Sequence, residues 1–486
     1  MLTPQAAIAA NRFGLGAKPG DAEEIGRDAR GWLLAQLEPQ RGAPRGAEPP
    51  ASAGVLVETR ELRIARQIRQ QARANLAQTP SGTPPPAPGI DQQAIREFGA
   101  FIRDHYVAQT NARHRRAIET DRPFAERLVH FWSNHFAVSA DKQPLAALAG
   151  LYEDEAIRPH VAGNFYDLLL AVERHPAMIL YLDNQASMGE SSTAANLVRR
   201  NRGRELGLNE NLAREILELH TLGVDGGYTQ QDVTEFAKVI TGWSIGGALG
   251  EGGARPALAR LGGDAGKPGE FHFRAAMHEP GSKTILGKQY RERGADEGEE
   301  VLRTLALHEK TATHLATKLA RHFVADDPPA ALVERLARTY LRTDGDLPSV
   351  YRALVAADES WEAPLAKFKT PHDFALSAYR LLDYVPDNLQ PITAFLTQAG
   401  QRPYTPGSPA GWPDTAANWN GGDALLKRIE LAAAAGRAVG DRIDPVARAG
   451  EVLGELGEHT LFAIRSAESA AQGLALLLAA PEFQRR

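Results

Sequence analysis

Three stretches of the chain hold side chains able to do chemistry. In Arg127-Leu128-Val129-His130-Phe131-Trp132-Ser133-Asn134-His135-Phe136, His130 and Asn134 are four apart and share a helical face. His135 lies about 140° round from His130 at 3.6 residues per turn. Neutral imidazoles bind divalent metals, and a carboxylate completes such a site. His130, His135 and Glu215 are therefore the candidate metal ligands for a divalent ion. A regular helix cannot aim both rings at one ion, so this expectation needs a break after Asn134. The plainer alternative is that an aromatic-rich helix buries both rings in the core.

In the second stretch, Asn209 to His220, Asn211, Glu215 and Glu218 line one face beside Leu212, Ile216 and Leu219. Paired acids next to apolar packing can bind a cation or divide acid and base roles between them. A solvated face, with Arg214 pairing outward, is the ordinary alternative. The third stretch is Phe271-His272-Phe273 through His278-Glu279-Pro280-Gly281-Ser282-Lys283, where a histidine on a turn can be reached by substrate. Glu215, Glu218, His278 and Lys283 are thus the candidate catalytic groups, and Asn134, Asn211, Arg214 and Trp243 the candidate substrate contacts.

Familiar motifs fail. His308 and His314 are six apart rather than the four a zincin helix needs. Gly242-Trp243-Ser244-Ile245-Gly246 has the letters of a nucleophile elbow but not its strand-to-helix setting. Gly281 to Lys288 has the wrong spacing for a phosphate loop, and Thr221 and Gly223 occupy the first ligand positions of a would-be calcium loop.

These segments must be held by mostly helical elements. The 486 residues suggest about three domains by length alone. With 43% hydrophobic residues a sizeable core is assured. A net charge of −5 argues against a nucleic-acid partner, and zero cysteines exclude disulfides, thiolate metal sites and a cysteine nucleophile. No run reaches the roughly 18 apolar residues of a membrane span. Met1 to Asn11 lacks the features of a signal peptide, so the expected compartment is the cytoplasm, or the periplasm if a partner carries the chain out.

The spacing predicts a multi-helical, mostly α array with a small β-hairpin or irregular insert at 244–290, its turn at Pro280-Gly281. Thr3 caps the first helix, and Thr229 with Asp232 forms a capping box. The expected segments are an N-terminal arm (1–38), Pro-rich linkers around one charged helix (39–90), a central core (91–243), the insert (244–290) and a C-terminal region (291–486).

Asn209-Glu210-Asn211-Leu212-Ala213-Arg214-Glu215 through Gly223, then Tyr228-Thr229-Gln230 through Thr241-Gly242-Trp243, resembles the central signature of the DUF1800 family. Asn11-Arg12-Phe13-Gly14-Leu15-Gly16, Phe131-Trp132 through His135-Phe136, Gly163-Asn164-Phe165, His175 to Asp183, Lys367 to Pro371 and Gly411-Trp412-Pro413 before Trp419 fit the same family, in order along nearly the whole chain. The resemblance implies no catalytic residues. It suggests a partner, since members are often encoded beside a DUF1501 protein, itself similar to alkaline phosphatases and commonly exported.

Two functions follow as expectations. One is an enzyme with a histidine–carboxylate site, doing metal-assisted or acid–base hydrolysis. The other is a non-catalytic partner or maturation factor for the DUF1501 protein, with Trp243, Trp412 and Trp419 as interface anchors.

Overall fold

The computed structural model describes residues 2–38, 51–63, 92–202, 207–247, 266–363 and 365–486. The polyproline-type connector at 79–86, most of the Pro39–Gly54 loop and most of the Gly-rich stretch after Gly247 lie outside the described residues.

Helices dominate, and polar caps start them. Thr3 accepts from the Ala6 N–H, Asn164 caps Phe165–Arg174, His308 caps Glu309–Phe323, and Thr370 caps Pro371–Leu382. Each cap satisfies an amide that has no partner inside its own helix. Thr229 and Asp232 form the reciprocal box that opens Gln230–Val239. Apolar stripes then bury the helices. On Glu309–Phe323 the stripe is Leu315, Leu319 and Phe323, packed on Leu332, Leu336 and Tyr340 of Ala330–Arg342.

One hydrophobic core runs through these helices from Leu2 to Phe483. Its centre is aromatic: Phe13 of the N-terminal arm lies 5.7 Å from Phe124 and 5.7 Å from Phe323. Burying a phenyl ring contributes about 1.5–3 kcal/mol, so the arm is part of the core. Polar bolts reinforce it. Arg12 donates to the carbonyls of Ser360 and Glu362, and the fully buried Arg380 donates to those of Gly16, Ile118 and Thr120. Arg380 thereby closes the C-terminus of the long helix Gln92–Glu119, where a cation is favoured. Gly16 is obligatory beside it: φ is +100°, and a Cβ there would stand 2.6 Å from Ser377 Cβ.

Among the described residues the sheet content is two small antiparallel pairs. β1 (Trp243–Ile245) pairs with β2 (Phe271–Phe273), Trp243 opposite Phe273. β3 (Lys283–Ile285) and β4 (Lys288–Tyr290) form the hairpin. Its turn is Leu286-Gly287, not Pro280-Gly281. Both turn residues have positive φ, the handedness that matches strand twist in a two-residue loop. The Leu286 amide is held by Asp232 Oδ1 at 2.7 Å, so the capping residue of one element also fixes the other's turn. Trp243, the last residue of the expected central core, begins β1.

Candidate functional site

The helix Pro123–His135 runs unbroken through His130, ends on His135 and is capped at Phe136. His130 turns towards Glu126, Nε2 to Oε1 3.5 Å, close enough for a charge interaction but outside hydrogen-bond geometry. Glu126 is held more firmly by Arg158, at 2.6 and 3.0 Å. His135, 1% exposed, points Nε2 at the carbonyl of His220, 3.2 Å away. Glu215 lies elsewhere, half-buried. Desolvation pushes its carboxyl up, His220 partly offsets that, and Glu218 adds to it. The structure does not gather His130, His135 and Glu215 into one ligand set. Among the described residues no group of three or more His, Asp or Glu is placed to hold a metal ion.

The remaining sequence candidates scatter. Glu218 is half-buried beside Tyr228, whose phenol is pushed up by burial and then by that carboxylate. Asn211 is exposed, and Arg214 pairs outward with Glu210 (3.1 Å) and Gln230 (2.8 Å). Trp243 is wholly buried, with Arg174 over its ring, and Trp419 is buried too, so neither offers a surface for docking. His278 and Lys283 are buried rather than presented on a turn. Lys283 donates to Glu297 (3.2 Å) and to the Glu279 carbonyl (2.6 Å), while His278 contacts Glu297 (3.3 Å) and the Thr241 carbonyl (3.1 Å).

A cavity of about 310 Å³ opens on the other side of His130 and His135. Its wall is built chiefly by the helices Pro123–His135, Glu309–Phe323 and Pro371–Leu382 and the segment from Gln401 to Thr415, with Arg113 of Gln92–Glu119 and Ala149 and Tyr152 of a short helix completing it. Asn134 fastens the loop to the helix end. Its amide donates to the Trp412 carbonyl at 2.9 Å and its oxygen accepts from the Trp412 N–H at 2.7 Å. Gly411 makes this approach feasible, since its φ is +78° and a Cβ would stand 2.2 Å from the Asn134 carbonyl oxygen. Asn134, a candidate substrate contact, is here engaged in holding the wall.

Loop closure brings Asp414 onto His322, Nδ1 to Oδ2 2.6 Å. The other oxygen of Asp414 faces Lys367 Nζ and Arg486 NH2, each at 3.5 Å. Arg486 also donates to Asp373 (2.8 Å) and to the His322 carbonyl (2.7 Å), and Asp373 in turn accepts from Arg127 (3.1 Å). Burial pushes Asp414 up, but His322, Arg486 and Lys367 outweigh it and hold the carboxyl below its usual range. For His322 burial wins over Asp414, with Arg486 reinforcing it, and the ring's pKa falls to about 4. The imidazole is thus neutral at pH 7. With Nδ1–H donated to Asp414, the lone pair sits on Nε2, which has no partner among the described residues. His372 Nε2 and His135 Nδ1, on the same walls, are likewise unpartnered.

Lys318 is four residues before His322 on one helix and therefore lies beside it on the same face. Its ammonium makes no hydrogen bond or ion pair among the described residues, and burial lowers its pKa to about 8. That charge is felt through the cavity: after burial, it is the chief cause depressing both His135 and His314.

His314, Lys318 and His322 recur at intervals of four, a stripe that is legible in the sequence. Its middle member is a lysine, so it does not match the paired-histidine spacing of a zincin helix. Asp414 carries no signal of its own beyond following Gly411-Trp412-Pro413. Behind the cavity a second pair was also unforeseen. Glu173 and His220, both fully buried, meet at 2.7 Å where the helix Asn211–Glu215 continues as a π-turn, Ile216–His220.

No curated protein and no solved structure matches the chain. One family model does, that of the proteins of unknown function DUF1800, over residues 8–485, and the chain therefore belongs to the DUF1800 family.

Proposed function

We propose that the protein is a hydrolase whose general base is His322, oriented by Asp414 in the cavity between the Pro123–His135 and Glu309–Phe323 helices. The observation that carries this reading is a short His322–Asp414 hydrogen bond on a ring that lines the cavity, with a buried Nε2 that lacks a partner among the described residues. A carboxylate that fixes the tautomer and stabilises the imidazolium formed during the reaction is the recurring arrangement for imidazole base catalysis.

In the proposed reaction Nε2 takes a proton from water as the water oxygen attacks the carbonyl carbon of an ester. The proton then passes from the imidazolium to the departing alcohol oxygen, leaving a carboxylic acid. The Lys318 ammonium stands beside His322, where negative charge builds on the substrate oxygen, in a site of low polarisability. A base of pKa about 4 is weak in the empty protein. Negative charge arriving next to it raises its proton affinity, so the base strengthens when the reaction needs it.

The test is turnover of a panel of chromogenic carboxylic and phosphoric esters by the purified protein and by His322→Asn, which retains a side chain able to bond Asp414. Hydrolysis by the wild type and its loss in the variant support the proposal. Equal rates in the two refute it. A DUF1501-type partner is compatible with this chemistry and is the competing reading if no ester is turned over. Among the described residues no helix is long and apolar enough to cross a membrane.

A further inference from the structure

The charges lining the cavity do not cancel. Arg113, Arg127, Lys318 and Arg321 face it, against Asp373 and Asp414. Most of these are spoken for: Arg113 by Glu153 (3.3 Å), Arg127 by Asp373 (3.1 Å), and Asp414 by His322, Lys367 and Arg486. Two cations are left. Lys318 Nζ has no partner among the described residues, and Arg321 uses only Nε, on the Asp326 carbonyl at 3.1 Å. The two are three residues apart on the same helix, a spacing that sets side chains next to each other.

An unpaired ammonium is costly to keep away from water, and a cavity wall is where a ligand can offset that cost. We infer that the cavity takes substrates bearing an oxyanion group, seated on Lys318 and Arg321 beside the Nε2 of His322. This deepens the hydrolytic reading of the same site and rests on it. A carboxylate, sulfate or phosphate offers the shared chemistry, several acceptor oxygens around one negative charge, and charge-assisted bonds to Lys and Arg are the strong ones. The location also suits the base. An anion held next to His322 counters the surrounding arginines and favours protonation of the ring.

Inorganic phosphate is the probe, titrated calorimetrically into the intact protein, into Lys318→Met and into His322→Asn. Phosphate should bind the wild type, less tightly His322→Asn, which lacks the ring whose protonation the anion favours, and Lys318→Met about tenfold more weakly than the wild type, the loss of one charge-assisted contact. Lys318→Gln, which keeps the length and a polar end, serves as the second variant and should weaken binding in the same direction. Absence of phosphate binding to the wild type, or undiminished binding to both Lys318 variants, overturns the inference. If His322→Asn abolishes ester turnover while phosphate fails to bind, the hydrolytic reading stands and only the oxyanion preference falls.

Discussion

Two histidine–carboxylate–cation clusters in this protein look alike on paper and differ in what they leave over. In the cluster of His278, Lys283 and Glu297 both ring nitrogens and the ammonium are engaged with one another or with nearby carbonyls. In the cluster of His322, Asp414 and Lys318 the carboxylate is fully occupied, but Nε2 is buried without a partner, and the ammonium, also unpaired among the described residues, belongs to a residue of the cavity wall. In the first cluster the atom left over is a carboxylate oxygen, Glu297 Oε1, and a buried network whose basic groups are all engaged holds elements in register. A network with a spare lone pair and a spare cation beside a cavity can act on something that enters it. The comparison teaches that residue types do not separate the two; an unused base and cation on a cavity wall do.

The largest expected effect breaks the comparison on the cavity side. His322→Asn should lower ester turnover by about 10²–10⁴-fold, the range for loss of a general base, while the thermal midpoint changes little. On the other side, Glu297→Ala should cost about 3–5 kcal/mol of stability, because it strands Lys283 and His278 as buried groups without their carboxylate. Urea denaturation measures this, and a loss confined to activity would reverse the roles assigned to the two clusters.

Acid sharpens the contrast. The folded pKa of His322 lies at about 4, that of His314 at about 4 and that of His114 at about 3, against 6.5 for a free ring. The folded state therefore takes up these protons less readily than the unfolded chain. Stability is full above about pH 6.5 and is lost as pH falls through the folded values. Urea midpoints between pH 7 and 4 should decline steadily, and His322→Asn should flatten the decline. Turnover should show its acidic limb near pH 4, from His322, and an alkaline limb near pH 8, where Lys318 loses its proton. The smallest effect is expected from Glu218→Gln. A half-buried carboxylate outside the cavity should change stability by less than about 0.5 kcal/mol, and a loss of turnover there would move the site to the Asn209–His220 segment.

The helical architecture was legible because caps and apolar stripes are local properties of the chain: Thr3, Thr229 and the stripes read directly as helix starts and buried faces. The hairpin turn was not. Pro280-Gly281 carries the stronger turn composition, whereas Leu286-Gly287 adopts positive φ and has its Leu286 amide held by Asp232, from a distant helix. The pairing of Trp243 with Phe273 spans a long insertion and leaves no short-range trace. The candidate site was half legible for the same reason. His130, Asn134 and His135 were singled out and do line the cavity, since a polar group inside an apolar helix stands out locally. His322 and Asp414 are 92 positions apart and meet only because Asn134 and Gly411 draw a loop across the helix end. Glu215 and Glu218 drew attention through their leucine neighbours, yet a π-turn follows directly after Glu215, and the regular helical period no longer tells where Glu218 points.

The central claim is that His322 rests as a neutral imidazole at the cavity wall, with its proton on Nδ1 and an Nε2 unpartnered among the described residues. Nitrogen-15 NMR of ring-labelled histidine, with His322→Asn to assign the signal, reads both the tautomer and the titration. The account predicts a protonated Nδ1, an unprotonated Nε2 and no titration of this ring between pH 8 and about 5. A ring that carries its proton on Nε2, or that is charged at pH 7, would leave the cavity without a base and contradict it.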